Sequence, residues 1–461
     1  MKKIRLTVED IFEIPTAVIY NPDEFKSLES VSIDSRSIPK KGLFIAIKGE
    51  KFDGHDFVIY AIENGAVAIM ISAEKYENFK EINIPIITVQ DTLKALGYVA
   101  KIWRHKLNTK IIGITGSTGK TTTKEMLALI LNEKFSVNKT IANNNNHIGV
   151  PLTIFSTNNS HDVLVAELGT NHFGEIKYTS EILKPNYAII TNIGHSHLEF
   201  LKNKRGVLKE KIELFRVASE RKGFIFINND DPLLSRVSKN YKNKLTFGFN
   251  SKADVKGKIT GYTGDGKPVI QIIYKNNKLN ETFSLYGEQS AKNFLAASAV
   301  AFKLGLSSKQ ISNAVKKIKS VDKRLNIKKY SDFILIDDTY NANPDSMKYA
   351  IEMLQRIKNY SKKIAVLGDM FELGEEGPAQ HKKLAAIINK NKIDAVYTTG
   401  SLMKNLNEEL AKSEIQTEHF SARDQLKEFL KEKNFKGSVV LVKGSRGMKM
   451  EDFVKIIEPG A

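Results

Sequence analysis

The strongest constraint on this chain is the segment 110–131, where an apolar strand, a glycine turn and a helix follow one another directly. Lys110-Ile111-Ile112-Gly113-Ile114 reads as a strand buried on both faces. Met126, Leu127, Ile130 and Leu131 then fall on the inward face of a helix. Between them stands Gly116-Ser117-Thr118-Gly119-Lys120-Thr121. A strand that passes through glycines into a helix belongs to a parallel sheet with crossover helices. Glycines let backbone N–H groups crowd around phosphate oxygens at the helix N-terminus. Lys120 can reach the terminal phosphates, and the Thr121 hydroxyl can hold a magnesium ion. The loop is a variant. The usual glycine six residues before the lysine is replaced by Ile114, with glycine at 113, so Gly116 and Gly119 must supply the turn.

At 461 residues the chain is too long for one ordinary core, and it divides into three expected units. Residues 1–90 carry short apolar runs, Gly42–Ile47 and Ala66–Ile71, bounded by Gly, Asp and Pro, as in a small mixed α/β domain. Residues 91–321 add strands at Val163–Ala166, Tyr187–Ile190 and Phe224–Ile227 to the one at 110–114, giving a central domain with a mostly parallel sheet. From 253 to 286 alternating strands broken at Gly264-Asp265-Gly266 and Lys275–Lys278 predict an antiparallel flap appended to it. Residues 322–461 alternate again, with strands at Phe333–Ile336, Lys363–Leu367, Ala395–Tyr397 and Val439–Val442. This predicts a doubly wound, Rossmann-like α/β domain. The fold class is therefore α/β in three domains, with a cleft between the second and third.

Composition excludes several chemistries. With no cysteine there is no disulfide, thiolate catalysis or cysteine-ligated zinc, so any metal sits on oxygen and imidazole ligands, as magnesium does. The net charge of +18 is spread over lysines in almost every segment, whereas a nucleic-acid footprint is clustered; no nucleic-acid partner is expected. No stretch approaches the ~18 apolar residues of a membrane span. Met1-Lys2-Lys3-Ile4-Arg5 is basic, but Glu9, Asp10 and Glu13 follow in place of a signal peptide's apolar core. A cytoplasmic location and a monomer are expected.

Several polar residues stand where chemistry could use them. Glu167 ends the strand Val163–Ala166, where α/β folds present ligating groups to a crevice; a solvated strand-end acid would look the same. His195 and His197 follow the next strand, and residue chemistry alone does not choose between them as metal ligands. On composition Lys211 is a surface lysine of a charged helix. Asp337-Asp338 ends a strand of the third region. Pro344 after it signals a helix start, which leaves Asp345 or Ser346 explicable as a cap.

In this order the segments resemble the Mur ligases of peptidoglycan synthesis over essentially the whole chain. Gly113–Thr122 matches that family's ATP loop, which accounts for the glycine spacing. Asn143–Pro151, Asp338–Met347, Leu367–Gly374 followed by His381, and Leu441–Arg446 resemble the branch that adds D-alanyl-D-alanine. The resemblance implies a UDP-sugar domain, a central ATPase and a C-terminal ligase domain. It implies ATP and Mg2+ as cofactors, with UDP-N-acetylmuramoyl-tripeptide and D-alanyl-D-alanine joined through an acyl phosphate. By the same resemblance Gly116, Ser117, Thr118, Gly119, Lys120, Thr121 and Thr122 hold ATP with Asn293 and Arg324. Thr121, Glu167, His197 and a carbamylated Lys211 hold metal, and Asp338 meets ATP from the third domain. Ser35, Arg36, Asp53 and His55, within Asp34-Ser35-Arg36 and Asp53-Gly54-His55, hold the uridine diphosphate end. Three positions depart from the family pattern: Gln289-Ser290 stands where relatives have His-Asn, and Ala142 where glycine is common. The rival readings are a sibling ligase adding one amino acid, a folate polyglutamylating enzyme, a nucleotide-binding regulator without catalysis, and a basic nucleic-acid-binding ATPase. The diaminopimelate-adding sibling's Asp-Asn-Pro-Arg run is missing here. Whether the tripeptide ends in lysine or meso-diaminopimelate stays open.

Overall fold

The computed structural model describes residues 4–249, 252–263 and 266–459. Met1–Lys3 at the basic start, and Gly264 and Asp265 of the expected turn, lie outside the described residues.

Three sheets follow one another along the chain. The first has five strands in the order Val18–Tyr20, Ile86–Val89, Ala66–Ser72, Gly42–Ile45, Ser30–Ser32, parallel except at the Val18–Tyr20 edge. The second has nine strands, with Lys110–Thr115 between Val163–Glu167 and Tyr187–Ile190 in its parallel half. The flap is the continuation of this sheet. Phe247 in Lys244–Gly248 pairs in parallel with Val255, and Val255–Tyr262, Pro268–Tyr274 and Asn277–Thr282 then run antiparallel outward. The third sheet has six strands in the order Asn326–Lys329, Ile334–Asp338, Ser438–Lys443, Lys362–Gly368, Ala395–Thr399, Gln416–Phe420. Only its first strand is antiparallel to its neighbour.

The phosphate loop owes its position to burial on both faces of one strand. Ile111 packs into the core shared with Leu96 and Trp103 of the helix Thr92–His105. Ile112 and Ile114 turn the other way, onto Met126 and Leu127 of the helix Lys120–Leu131 and Phe294 of Glu288–Lys303. Successive strand residues point to opposite faces, so a continuous apolar run is what two cores require. Thr92–His105, capped by Asp91 accepting from the N–H groups of Leu93 and Lys94 at 3.0 Å, touches both the first sheet and the helices of the second. In the third sheet the parallel register sets Asp338 opposite Lys443. The observed strand runs two residues past the expected Ile336, so both aspartates are strand residues.

Among the described residues no helix is long and apolar enough to cross a membrane.

Candidate active site

A cleft of about 360 Å³ opens over the glycine loop, with Lys120, Thr121, Glu167 and His197 on one side and Asp338 and Glu372 on the other. The loop's two glycines are required by contact. Gly116 (φ 151°) leaves a Cβ position 1.9 Å from Thr191 Oγ1, and Gly119 (φ 81°) one 2.3 Å from Asn293 Oδ1. Hydrogen bonds complete the cradle. Thr118 N donates to Asn192 Oδ1 (3.0 Å), Gly194 N to Ser117 Oγ (2.8 Å) and Ser196 Oγ to Ser117 Oγ (2.9 Å). Lys120 Nζ folds back onto Gly116 O at 2.8 Å. Its pKa is lowered by desolvation at the cleft wall, which the charge of Glu167 partly opposes.

Glu167 is buried. Its Oε1 accepts from Thr121 Oγ1 (3.1 Å) and from Asn145 Nδ2 (3.0 Å), while Oε2 has no hydrogen-bond partner among the described residues. A buried carboxylate oxygen left open beside a loop hydroxyl fits a hard divalent cation, which takes oxygen ligands and completes its shell with phosphate and water. The donor set therefore fits magnesium.

His195 and His197 are told apart by their partners. His195 N donates to Asp345 Oδ2 at 2.6 Å. His197, in the left-handed region (φ 53°), brings Nδ1 to 2.6 Å from Glu372 Oε2, off the line of a good hydrogen bond. Its pKa is lowered by burial first, opposed by Glu372, with the charges of Lys211 and Lys120 acting with burial. The surface reading of Lys211 is overturned. The side chain is fully buried, its Nζ has no partner among the described residues, and burial beside Lys120 pushes its pKa well down. A charged-looking helix concealed it because the neighbouring Glu210 is buried too, accepting from Ile176 N and Gly174 N at 2.7 Å.

The third domain supplies the roof. Asp338 Oδ1 accepts from Leu325 N (3.0 Å), and Oδ2 lies 2.5 Å from Lys443 Nζ, which also donates to Asn341 O at 2.9 Å. The guanidinium of Arg324 stacks on Tyr340 at 3.8 Å. Asn293 accepts from Gln289 Nε2 at 3.1 Å, so the departing residue at 289 orients the asparagine beside the loop. Asp345 is no helix cap: Asn343 caps Pro344–Arg356 with Ser346, which frees Asp345 to reach His195. Asn145, Glu372 and Lys443 had no role from the sequence, though each lies in a segment that carries the resemblance.

The first-domain residues lie outside this cleft's lining. Arg36 is exposed and bidentate on Asp34 (2.9 and 2.8 Å), holding that carboxyl at about 2, while Ser35 is buried. Both ring nitrogens of His55 have partners within the first domain: Nδ1 lies 2.5 Å from Asp53 Oδ1, and Nε2 accepts from Ser72 N at 2.9 Å. It shapes the loop.

Three family models cover the chain: "Mur ligase family, catalytic domain" over residues 27–104, "Mur ligase middle domain" over 114–301 and "Mur ligase, glutamate ligase domain" over 323–446. With a three-sheet fold and an ATP-type loop facing a second α/β unit, the chain belongs to the Mur ligase family. It is 36% identical over 457 residues to the UDP-N-acetylmuramoyl-tripeptide--D-alanyl-D-alanine ligase of Bacillus subtilis (strain 168), covering 98% of each. A crystal structure of MurF from Acinetobacter baumannii superposes with a TM-score of 0.87 at 28% identity, over 99% of both chains. MurF ligase from Thermotoga maritima in complex with ADP gives 0.80 at 28% identity, over 93% of this chain and 96% of that one.

Proposed function

We infer that this chain is an ATP-dependent carboxylate–amine ligase that joins D-alanyl-D-alanine to UDP-N-acetylmuramoyl-tripeptide in peptidoglycan precursor synthesis. The observation that carries the reading is the full-length likeness to ligases of that name, with the middle-domain and glutamate-ligase-domain matches falling on the two sides of the cleft.

A carboxylate does not condense with an amine in water because oxide is a poor leaving group. The acceptor's carboxylate oxygen attacks the γ-phosphorus and ADP departs. The amine nitrogen then attacks the carbonyl carbon, losing a proton, and inorganic phosphate leaves. Lys120 and the loop N–H groups of Gly116–Thr122 offset charge that builds on the transferred phosphoryl. Thr121 and Glu167 would hold magnesium, with His197 and a carbamylated Lys211 at a second ion; the metal supplies charge neutralisation on the phosphates. Asn293, Arg324 and Asp338 meet the nucleotide, Asp338 from the third domain as it closes. Ser35, Arg36, Asp53 and His55 form the loops for the uridine diphosphate end, in units proposed as 1–90, 91–321 and 322–461. The setting proposed is the cytoplasm, with the chain acting as a monomer.

The test is phosphate release from ATP with magnesium and UDP-N-acetylmuramoyl-tripeptide, with and without D-alanyl-D-alanine. Release requiring both, with a mass gain equal to the dipeptide less water, is expected. Turnover with a single amino acid and none with the dipeptide would replace the reading with that of a sibling ligase.

A further inference from the structure

Lys124 lies one turn after the loop lysine and is fully buried. A lysine ammonium without solvent must be held by acceptors, and four oxygens from three places surround this one. Nζ donates to Thr140 O at 2.7 Å and to Ala142 O at 3.4 Å. It pairs with Glu125 Oε1 at 3.1 Å and stands 3.7 Å from Glu167 Oε2. That last oxygen is the one with no hydrogen bond, so Lys124 faces it across a gap without bonding it. Glu125 is held from its other side by Lys139.

The two carbonyls matter as much as the charge. Ala142 is left-handed (φ 50°) without being glycine, a conformation strained for a residue with a Cβ. Thr140 also accepts from Glu167 N through its hydroxyl at 3.0 Å. The loop that continues from Ala142 delivers Asn145 to Glu167 Oε1. One ammonium thus ties the nucleotide helix to the loop that orients Glu167, and it opposes the charge of the same carboxylate.

We propose that Lys124 is a positioning residue that acts as the resident counter-charge of Glu167, setting how tightly the site takes magnesium while it anchors the 140–146 loop. This rests on Glu167 being a magnesium ligand. The ammonium competes with the cation for the open oxygen, so the site without metal carries a balanced charge, and metal binds against that competition.

The experiment is the magnesium dependence of ADP binding, read by a fluorescent ADP analogue without turnover, on the full chain. Lys124→Met is expected to lower the half-saturating magnesium concentration about tenfold, and Lys124→Arg to restore it. Glu125→Gln, which releases the ammonium toward Glu167, is expected to raise it about threefold. A folded Lys124→Met with an unchanged or weaker magnesium response overturns the proposal, because a mere strut would leave that response alone. If Lys124→Met does not fold, Glu125→Gln decides: no rise overturns it. Glu167→Gln separates the two readings. Should that variant respond to magnesium as the parent does, the ligand reading fails as well; should its response be lost, only the role of Lys124 is at stake.

Discussion

Replacing Lys443 by methionine tests whether the roof of the cleft is held by one buried ion pair. Lys443 Nζ lies 2.5 Å from Asp338 Oδ2, and both side chains are buried. Methionine keeps most of the volume and removes the charge, leaving Asp338 with Leu325 N on its other oxygen only. Breaking a buried pair by deleting one partner costs about 3–5 kcal/mol, because the remaining charge stays desolvated and unpaired. For a unit the size of the third domain, about 3–4 °C accompanies each kcal/mol, so its calorimetric transition should fall by ~10–20 °C. Deleting both charges, Lys443→Met with Asp338→Asn, should lose less than Lys443→Met alone, since no charge is then stranded. A single-variant loss below about 1 kcal/mol, or a double variant equal to the sum of the two singles, would refute the argument. In the same protein the KM for ATP should rise, because the loop from Thr339 to Asn343 loses the bond from Lys443 to Asn341 O.

Lys211→Ala should lose nearly all ligase activity and regain part of it with a short carboxylic acid, measured as phosphate release; parent-level activity would restore the surface-lysine reading. Lys184 is held down to about 8 by burial and the charges of Lys101, Arg221 and Arg104, and it sits left-handed (φ 46°) at a helix end. A lysine depressed in the folded state destabilises it fully below about 8, and the penalty is released as pH rises toward the unfolded value of about 10.4. Lys184→Gly should therefore raise the melting temperature at pH 7, with the charge-derived part of the gain shrinking toward pH 10; a gain independent of pH would assign it to backbone conformation alone. Gly119→Ala would put a Cβ 2.3 Å from Asn293 Oδ1 and should weaken ADP binding at least about tenfold. Gly174→Ala, also at positive φ but with no atom within 4 Å, should cost about 1 kcal/mol of stability and leave ADP affinity intact, as a binding titration would show.

Strands buried on both faces were legible as apolar runs, and the flap strands, buried on one face, as alternation. The parallel strands at 110, 163, 187 and 224 are uninterrupted apolar runs, and each forms within one or two residues of its expected limits. Asn326–Lys329 and Gln416–Phe420 were not legible because they are edge strands, only partly buried and built largely of polar residues. The site follows the same division. Lys120 and Thr121 could be read from residue type and spacing, because a phosphate loop is local. Lys443 could not: its partner lies 105 residues away, and only the register of two parallel strands brings them together. Lys211 misled for a related reason, since burial of a charge depends on what packs over it, and the sequence of one helix does not contain that.

The segment 194–199 touches both halves of the cleft within six residues. Its Gly194 N–H and Ser196 hydroxyl hold Ser117 in the phosphate loop, while His195 N grips Asp345 and Glu199 N donates to Glu372 O at 3.0 Å. Occupancy of the loop and docking of the third domain are thus linked through one short stretch of backbone. Linkage is reciprocal: whatever factor bound nucleotide adds to domain docking, docking must return to nucleotide affinity. A ligand that wedges the third domain open would on this account lower nucleotide affinity from outside the nucleotide site.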